Sequence, residues 1–499
     1  MTPTDYHQST LDASAATSIR ADAWTAGDGG LVVLWSDQAT GFFGRASARG
    51  GATGGDGGLI EVSSKGQVAM AGTADAGAPH GRAGALLLDP RNITISDITG
   101  IFPQYPLVDP NPSVGNSFGN TIVHLQADTV VVTAPNDDAG GFEAGAVYLF
   151  DESSGALLST LVGSTADDQV GTGVTALENG NFVVSSPSWD NGAIVDAGAV
   201  TWGSGTTGIN GTVSAANSLV GSTPADQVGI NGVVPLANGN YVAISPNWDN
   251  GGIADTGAVT WGNGAGGTAG AGTAANSIVG TTASDNLGSG GVTALSSGNF
   301  VVASPLWDNF DAFTPNVGAA MWADGLGGTV GAVTAARALV GSTLGDQVGS
   351  GGVVELANGN YVVVSPAWNN GGVISAGAVT WGDGAAGRTG VVDPANSLVG
   401  DTANDLVGSF GVTALSNGNY VIASPLWDDL AVVDAGAATW GDGAAGSIGV
   451  IAAGNSLAGT TPGDQVASGG VAALTNGNYV VLSPLWDDGN TFDAGAATW

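Results

Sequence analysis

One period governs most of this chain of 499 residues. A Ser-Pro-x-Trp element recurs, with its proline at Pro187, Pro246, Pro305, Pro366, Pro425 and Pro484. A weaker Thr-Ala-Pro copy places Pro135 one interval earlier, so that the intervals are 52, 59, 59, 61, 59 and 59 residues. Seven units at a nearly fixed period predict a repeat architecture, in which each unit packs mainly against its neighbours.

Each unit predicts four short antiparallel strands. In the unit near residue 350, apolar residues 351–356 lead to Asn358-Gly359, a pair suited to a type I′ hairpin because both positions require positive φ. Residues 361–364, 377–381 and 397–400 supply the other three strands. Such units are typical of β-propellers, so we predict an all-β fold with a seven-bladed propeller over residues 114–499. An open linear array of the same units would give the same pattern.

The first 97 residues carry a shorter repeat. Glycine-rich turns precede apolar strands that begin at Leu31, Leu59 and Ala85, which are spaced by 28 and 26 residues. This pattern predicts a stacked parallel β-solenoid over residues 1–97. Residues 98–113 follow, and four prolines make them a linker or an extended strand. Because the seventh unit stops at Trp499 after its third strand, we expect residues 98–108 to complete the last blade.

Charge and composition exclude several classes of function. The chain has 43 acidic residues against 8 basic ones, so it lacks the Lys and Arg clusters that bind nucleic acid. The same imbalance disfavours attraction to anionic lipid, and no run of 18 apolar residues is present to insert into a membrane. Cysteine is absent, which excludes disulfides and thiolate metal sites.

Residues 19–95 resemble the late β-helix region of filamentous-haemagglutinin-type exoproteins of two-partner secretion. The resemblance rests on the run GDGGLVVLWSDQATGFFGRASARGG, on GGDGGLIEVSSKGQV and on GALLLDPRNITI. It implies a right-handed β-helix, export through a dedicated outer-membrane pore, and a place outside a Gram-negative-type bacterium or on its outer surface. The segment that begins at Met1 does not match the family's signal and secretion domain, so we expect Met1 to start a fragment or a displaced gene model.

The first long unit resembles the FG-GAP repeat of integrin-α-type propellers. Phe118-Gly119, Ala134-Pro135 and the Gly-Ala-Val-Tyr-Leu-Phe run at 145–150 carry this resemblance, and later units drift from it. The family implies a closed ring of seven blades, often with calcium loops in the first hairpin. Short Asn-Gly turns occupy that position here, so the calcium loop does not carry over.

Two aspartate series are candidate turn caps or cation ligands. One follows the loop tryptophan, at Asp190, Asp249, Asp308, Asp428 and Asp487, with Asn369 interrupting it. The other precedes the next unit, at Asp168, Asp226, Asp285, Asp346, Asp405 and Asp464. Asp beside Gly and Asn usually caps turns through its carboxylate, which favours capping over calcium binding and predicts no required cofactor.

Two tryptophan series are candidates for packing wedges or for sugar-binding platforms. The loop series is Trp189, Trp248, Trp307, Trp368, Trp427 and Trp486. The strand series is Trp202, Trp261, Trp322, Trp381, Trp440 and Trp499. Recurrence in every unit favours packing. If either series binds a ligand, we expect it to be the loop series.

The sequence predicts no catalytic site. The one Gly-x-Ser-x-Gly match, at 115–119, lacks the strand-to-helix context of a nucleophile elbow. Acids repeated in every unit indicate structure, since an active site is normally unique. We therefore expect a non-enzymatic, secreted or cell-surface adhesin-like protein whose propeller recognises a glycan or a surface protein, or acts as a spacer. The alternatives are a carbohydrate-binding or carbohydrate-active propeller protein and a purely structural surface protein.

Overall fold

The computed structural model describes residues 10–14, 17–90, 107–126, 128–309 and 314–499. Their regular elements are all β-strands, and no helix occurs among these residues. The described part of the chain therefore offers no helix that could cross a membrane. The chain divides into two compact units, Met1–Pro106 and Leu107–Trp499.

The first unit is built from three parallel sheets. Its strands are β1 (Thr10–Ala13), β2 (Ser18–Arg20), β3 (Leu31–Ser36), β4 (Ala39–Phe42), β5 (Arg45–Ser47), β6 (Leu59–Ser64), β7 (Gln67–Met70), β8 (Thr73–Asp75) and β9 (Ala85–Pro90). The sheets have the orders β1-β4-β7, β2-β5-β8 and β3-β6-β9. Leu31 lies opposite Leu59, and Leu59 lies opposite Ala85. Each repeat thus adds one strand, in parallel register with the one before it, to each sheet, as the 28- and 26-residue spacings predict.

The second unit contains seven sheets, here called repeat sheets 1–7 in chain order. Sheet 1 comprises β10 (Ile122–Leu125), β11 (Thr129–Ala134), β12 (Ala146–Asp151) and β13 (Leu157–Val162). Sheet 2 comprises β14 (Gly173–Ala176), β15 (Phe182–Ser186), β16 (Ala199–Gly203) and β18 (Ser218–Val220), with β17 (Gly211–Thr212) in the preceding loop. Sheet 3 comprises β19 (Val233–Pro235), β20 (Tyr241–Ser245), β21 (Ala258–Gly262) and β23 (Ser277–Val279), with β22 (Gly270–Ala271) in its loop.

The remaining sheets repeat this order. Sheet 4 comprises β24 (Val292–Ala294), β25 (Phe300–Ser304), β26 (Ala319–Ala323) and β28 (Leu339–Val340), with β27 (Gly331–Ala332) in its loop. Sheet 5 comprises β29 (Val353–Glu355), β30 (Tyr361–Ser365), β31 (Ala378–Gly382) and β33 (Ser397–Val399), with β32 (Gly390–Val391) in its loop. Sheet 6 comprises β34 (Val412–Ala414), β35 (Tyr420–Ser424), β36 (Ala437–Gly441) and β38 (Ser456–Ala458), with β37 (Gly449–Val450) in its loop. Sheet 7 has only β39 (Val471–Ala473), β40 (Tyr479–Ser483) and β41 (Ala496–Thr498).

A short parallel strand links each of the first five repeat sheets to the chain that follows it. The two-residue strand β17 leaves the loop of sheet 2 and pairs in parallel with β13 of sheet 1. β22, β27, β32 and β37 pair in the same way with the fourth strand of the sheet before them. The predicted four antiparallel strands are therefore present in sheets 1–6, and a fifth strand that was not predicted crosses from the next unit.

Each repeat sheet buries both faces between its neighbours. In β15, Phe182 and Val184 pack in a cluster with sheet 1, whereas Val183 between them packs in a cluster with sheet 3. Side chains alternate across a strand, so a strand covered on both sides must be apolar at every position. This arrangement explains why the second strand of each unit reads as an unbroken apolar run.

The two terminal faces differ from this pattern. One face of sheet 1 is covered by residues of its own segment, with Leu107 and Phe118 packed against it. On sheet 7, Leu482 is 39% exposed, although the equivalent Ala423 of sheet 6 is buried. The predicted closing strand over 98–108 falls mostly outside the described residues. Its one packed residue, Leu107, contacts sheet 1, and β41 pairs only with β40 among the described strands.

Glycine at the end of the third strand accommodates a buried ring. Tyr241 lies opposite Gly262 in the β20–β21 pair. A Cβ at Gly262 would lie 2.0 Å from the Tyr241 ring, a separation that no packing tolerates. Gly382 and Gly441 hold the same relation to Tyr361 and Tyr420, so the Thr-Trp-Gly ending of these strands follows from the aromatic residue opposite.

Candidate functional site

The aspartates that precede each unit are fully buried turn caps. The six residues Asp168, Asp226, Asp285, Asp346, Asp405 and Asp464 have no solvent exposure. The Asp168 carboxylate accepts hydrogen bonds from the backbone N–H groups of Ser164 and Thr165 at 2.6 and 2.8 Å and from the Thr165 hydroxyl at 2.6 Å. These donors satisfy the carboxylate inside the loop that joins two sheets, so the capping interpretation is confirmed.

The loop aspartates continue this network to the surface. The backbone N–H of Asp190 donates to Asp168 at 2.9 Å, and the Asp190 carboxylate accepts from the backbone N–H of Asp196 at 2.8 Å. Asn369, which interrupts the series in the sequence, makes the same contact, since its side-chain oxygen accepts from Ser375 at 2.9 Å. The described residues contain no cluster of three or more His, Cys, Asp or Glu side chains placed to hold a metal ion.

Asp405 departs from the series in one bond. In the loops that lead into sheets 2, 3 and 4, the equivalent aspartate accepts a hydrogen bond from the hydroxyl of Thr165, Thr223 or Thr282, respectively. At Asp405 the Thr402 hydroxyl is directed to Asp401 instead, at 3.5 Å, where other units have Ser or Thr. Burial, opposed by fewer hydrogen bonds, raises the pKa of Asp405 to about 6. For Asp464 burial acts in the same direction, but bonds from Thr461 and its neighbours hold the pKa below its ordinary value.

The loop tryptophans are buried wedges between sheets. Trp189, Trp248, Trp307, Trp368 and Trp427 are only 2–3% exposed, and each belongs to a cluster shared by two consecutive sheets. Trp486 is partly buried against the cluster of sheets 6 and 7. The packing interpretation is confirmed. The prediction that this series is the better ligand platform is wrong, because five of its six rings are buried and cannot stack on a sugar.

The strand tryptophans form the contact, here called the joint, between one repeat sheet and the next. The indole N–H of Trp261 donates to the Gly325 carbonyl of the next unit at 2.8 Å. Asn238 and Asn240 donate to the same carbonyl at 2.9 and 3.1 Å. Trp202, Trp322 and Trp381 bond in the same way to Gly264, Gly384 and Gly443. In each of these four joints, the tryptophan therefore donates to one carbonyl oxygen that lies 62 to 64 residues further along the chain.

Sequence reasoning missed an exposed series, here called the apolar row. It has one residue per unit, in the loop between the second and third strands: Phe142, Val195, Ala254, Pro315, Ile374, Val433 and Phe492. All seven are exposed, and the five larger ones by 55–80%. The signal that could have found the row is its position, because each member precedes a residue with positive φ.

A shallow recess in the first unit was also missed. Trp35, Glu61, Lys65 and Asp89 line a space of about 380 Å³ above the buried Ser63. The Lys65 ammonium lies 5.2 Å from the Trp35 ring centroid and bonds to Asp37 at 2.7 Å. The strict in–out alternation of β3 already indicates that Trp35 faces outward.

The residues that carry the FG-GAP resemblance come together in sheet 1. The ring centroids of Phe118 and Tyr148 are 5.8 Å apart, and those of Phe118 and Phe150 are 6.2 Å apart. The Tyr148 hydroxyl donates to the buried Asp137 at 2.7 Å. Burial and this bond raise the pKa of Tyr148 well above its ordinary value. These residues thus pack together on one face of sheet 1. Their packing neither confirms nor contradicts the resemblance to the FG-GAP repeat.

The family comparison matches the period of the long units. A repeat described as "Repeat of unknown function (DUF5650)" matches residues 176–230, 235–289, 294–350, 355–409, 414–468 and 473–499. A search of curated proteins found no match. Among solved structures, one titled "Crystal structure of the eukaryotic initiation factor" aligns with 78% of this chain and 88% of its own at 10% identity. Its TM-score of 0.27 is too low to support an argument.

Replacing Trp261 by Phe should destabilise the array through the joint. The change keeps an aromatic ring but removes the donor to Gly325, a loss of about 1 kcal/mol in the free energy of unfolding. The matched control is Trp440→Phe, because Trp440 is 44% exposed and its N–H has no acceptor among the described residues. Urea unfolding should show the larger loss for Trp261→Phe. Equal losses would mean that the indole N–H contributes nothing to the joint.

Replacing Asp401 by Ser should change how stability depends on pH. The folded pKa of Asp405, about 6, lies above the ordinary 3.8, so the folded chain binds more protons between these values. The free energy of unfolding contributed by this group therefore falls as pH rises from about 3.8 to about 6. Asp401→Ser frees the Thr402 hydroxyl for Asp405, which lowers that pKa and makes the fall smaller.

Urea midpoints at pH 4 and pH 7.5 measure this effect. We expect Asp401→Ser to stabilise the protein more at pH 7.5 than at pH 4. Asp401→Asn is the control, since its side-chain oxygen still accepts from Thr402 while the charge is lost. A gain of the same size in both variants would attribute the effect to charge removal rather than to the hydroxyl bond.

Proposed function

Since the chain belongs to the family defined by this repeat of unknown function, we propose a function from what the repeats build: a non-enzymatic, secreted or cell-surface protein whose repeat array serves as a recognition and spacer module. The observation that carries the proposal is the recurring joint. The polar and aromatic groups that recur in the joint hold each unit on the next. A scaffold requires such groups in every unit, whereas a reaction centre does not.

We infer that the seven repeat sheets form an open array rather than a closed propeller. Each apolar cluster of the second unit that spans two sheets joins consecutive ones, and Leu482 of sheet 7 remains exposed. The covering of sheet 1 by Leu107 and Phe118 supports the same inference. For the first unit, three parallel sheets in register support a β-helix, as the exoprotein resemblance implies.

We also propose a location outside the cell, which the same resemblance supports. Exoproteins of two-partner secretion pass through a dedicated outer-membrane pore, and this pore is the secretion partner that we propose. Such export is compatible with the absence of cysteine, because the fold then needs no disulfide formation. It is also compatible with the net charge of −35, which keeps the chain from attaching to anionic surfaces. The stability of the array then comes from packing between repeats.

Protease treatment of intact producing cells tests this proposal. We expect mass spectrometry of the released peptides to identify segments of the repeat sheets, whose loops are exposed, while peptides of a cytoplasmic protein stay absent. Lysed cells serve as the control that both proteins can be cleaved. Repeat peptides found only after lysis would contradict a surface location and remove the main premise of the proposal.

The recess around Trp35 favours a second candidate function, glycan binding. Trp35 is 39% exposed, and an indole face beside carboxylates and an ammonium group offers both stacking and hydrogen bonds to a sugar. We expect Trp35→Ala to abolish any binding of the chain to a glycan array. Trp24→Ala is the control, because Trp24 lies in the same unit, is 93% exposed and lies outside the recess. Equal binding by all three proteins would exclude this site.

A further inference from the structure

The apolar row is part of a wider exposed strip. A second residue in each connecting loop lies beside it: Ala166, Pro224, Ala283, Leu344, Ala403 and Pro462. These six residues are all exposed and all apolar. Together with the apolar row they are here called the apolar ridge. Single exposed apolar residues are ordinary, whereas grouped ones are typical of interaction surfaces.

Backbone hydrogen bonds hold the ridge in place. The carbonyl of Val195 accepts from the backbone N–H of Ala225, next to Pro224, at 3.0 Å. On its other side, the N–H of Asp196 donates to the loop carboxylate of Asp190 at 2.8 Å. The equivalent bonds recur at Ile374, with Asn404 and Asn369 as partners at 3.0 and 2.9 Å. The backbone that carries the exposed side chains is therefore preorganised, so that a partner would lose little entropy in ordering it.

The loops connect the ridge from one sheet to the next. Val195 belongs to the unit of sheet 2, whereas Ala225 lies in the loop that leads from sheet 2 to sheet 3. Because adjacent sheets pack about 10 Å apart, successive members of the apolar row should follow one another at about that distance. A peptide in the extended polyproline II conformation advances about 3.1 Å per residue with three residues per turn, so every third side chain would lie on one face and would meet one member of the row.

The charge around the ridge is of one sign. In five of the seven units an acidic residue directly follows the member of the apolar row: Glu143, Asp196, Asp255, Asp434 and Asp493. The second unit has only two basic residues, Arg337 and Arg388. The Arg337 guanidinium is used elsewhere, since it donates to the carbonyls of Val330 and Ala332 at 2.9 Å. The ridge thus combines apolar contact with negative charge.

We propose that the apolar ridge is the docking surface for an extended polypeptide segment of another protein, with apolar side chains at about every third position and Lys or Arg between them. This inference rests on the proposed role as a recognition module and names its partner. Electrostatic complementarity selects this occupant. A second copy of the chain or an anionic membrane would bring negative charge against negative charge.

Synthetic peptides test the proposal with the full chain. The probe is a fluorescently labelled peptide of repeated Leu-Lys-Lys, and the comparison peptides are repeated Ser-Lys-Lys and Leu-Glu-Glu. Fluorescence anisotropy should show saturable binding of Leu-Lys-Lys that weakens as salt is added, much weaker binding of Ser-Lys-Lys and none of Leu-Glu-Glu. Binding of Ser-Lys-Lys as tight as that of Leu-Lys-Lys, or no binding of either, would overturn the proposal.

A matched pair of double variants locates the binding. Ile374→Ser with Val433→Ser removes two members of the apolar row that are 67% and 55% exposed. Leu326→Ser with Ile448→Ser removes two apolar residues outside the ridge that are 74% and 60% exposed. We expect the first pair to weaken Leu-Lys-Lys binding about tenfold and the second to leave it unchanged, with unaltered circular dichroism in both. Equal weakening by the two pairs would contradict the assignment.

Two further measurements separate other occupants of the ridge. Sedimentation of the full chain that shows self-association, lost in the Ile374→Ser/Val433→Ser variant, would assign the ridge to a second copy and overturn the proposal. Binding to anionic vesicles that is lost in the same variant would assign it to lipid with the same consequence. These results are independent of protease shaving, so a failed docking surface and a failed surface location remain distinguishable.

Discussion

Burial of both faces of each interior repeat sheet is the constraint on which the second unit depends. A four-stranded sheet of short strands cannot cover its own apolar faces, so each unit requires its neighbours. The alternation in β15, where Val183 turns toward sheet 3 while Phe182 and Val184 turn toward sheet 1, meets this requirement residue by residue. The apolar second strand, the aromatic wedges and the glycine opposite Tyr241 are consequences of the same two-sided packing.

The polar residues of the repeat solve a second problem, which is how to turn the chain between stacked sheets without leaving buried polar groups unsatisfied. The buried aspartate accepts hydrogen bonds from the N–H groups of its loop, and the loop aspartate extends this hydrogen-bond network toward the surface. The backbone N–H of Asp190 bonds to Asp168, and the Asp190 carboxylate in turn accepts from Asp196, which fixes Asp196 and, beside it, Val195. In this way an internal requirement of folding determines which side chains stand exposed on the ridge.

The sequence predicted what its period and alternation encode. The all-β repeat, the four strands, the parallel register of the first unit and the capping role of the aspartates all follow from local patterns with a physical cause. The parallel strand β17 could not be predicted, because Gly211 and Thr212 carry no strand pattern and pair only through tertiary packing. The loop tryptophans were correctly predicted to pack but wrongly ranked as the better ligand candidates, since a Trp-Asp-Asn loop gives no sign that a neighbouring sheet covers it. The apolar row was not predicted, because its members are all apolar but are not the same residue type.

The joint has a consequence for how such a chain can change in evolution. Trp261 and Gly325 lie 64 residues apart, and the equivalent pairs lie 62 residues apart, so each joint is closed within two consecutive units. Duplication or deletion of one whole period in a gene would create or remove one joint and leave every other joint intact. The open array that we propose would tolerate such unequal recombination, whereas a closed ring would not, so a change in the number of units would alter the length of the array while each surviving unit stayed the same.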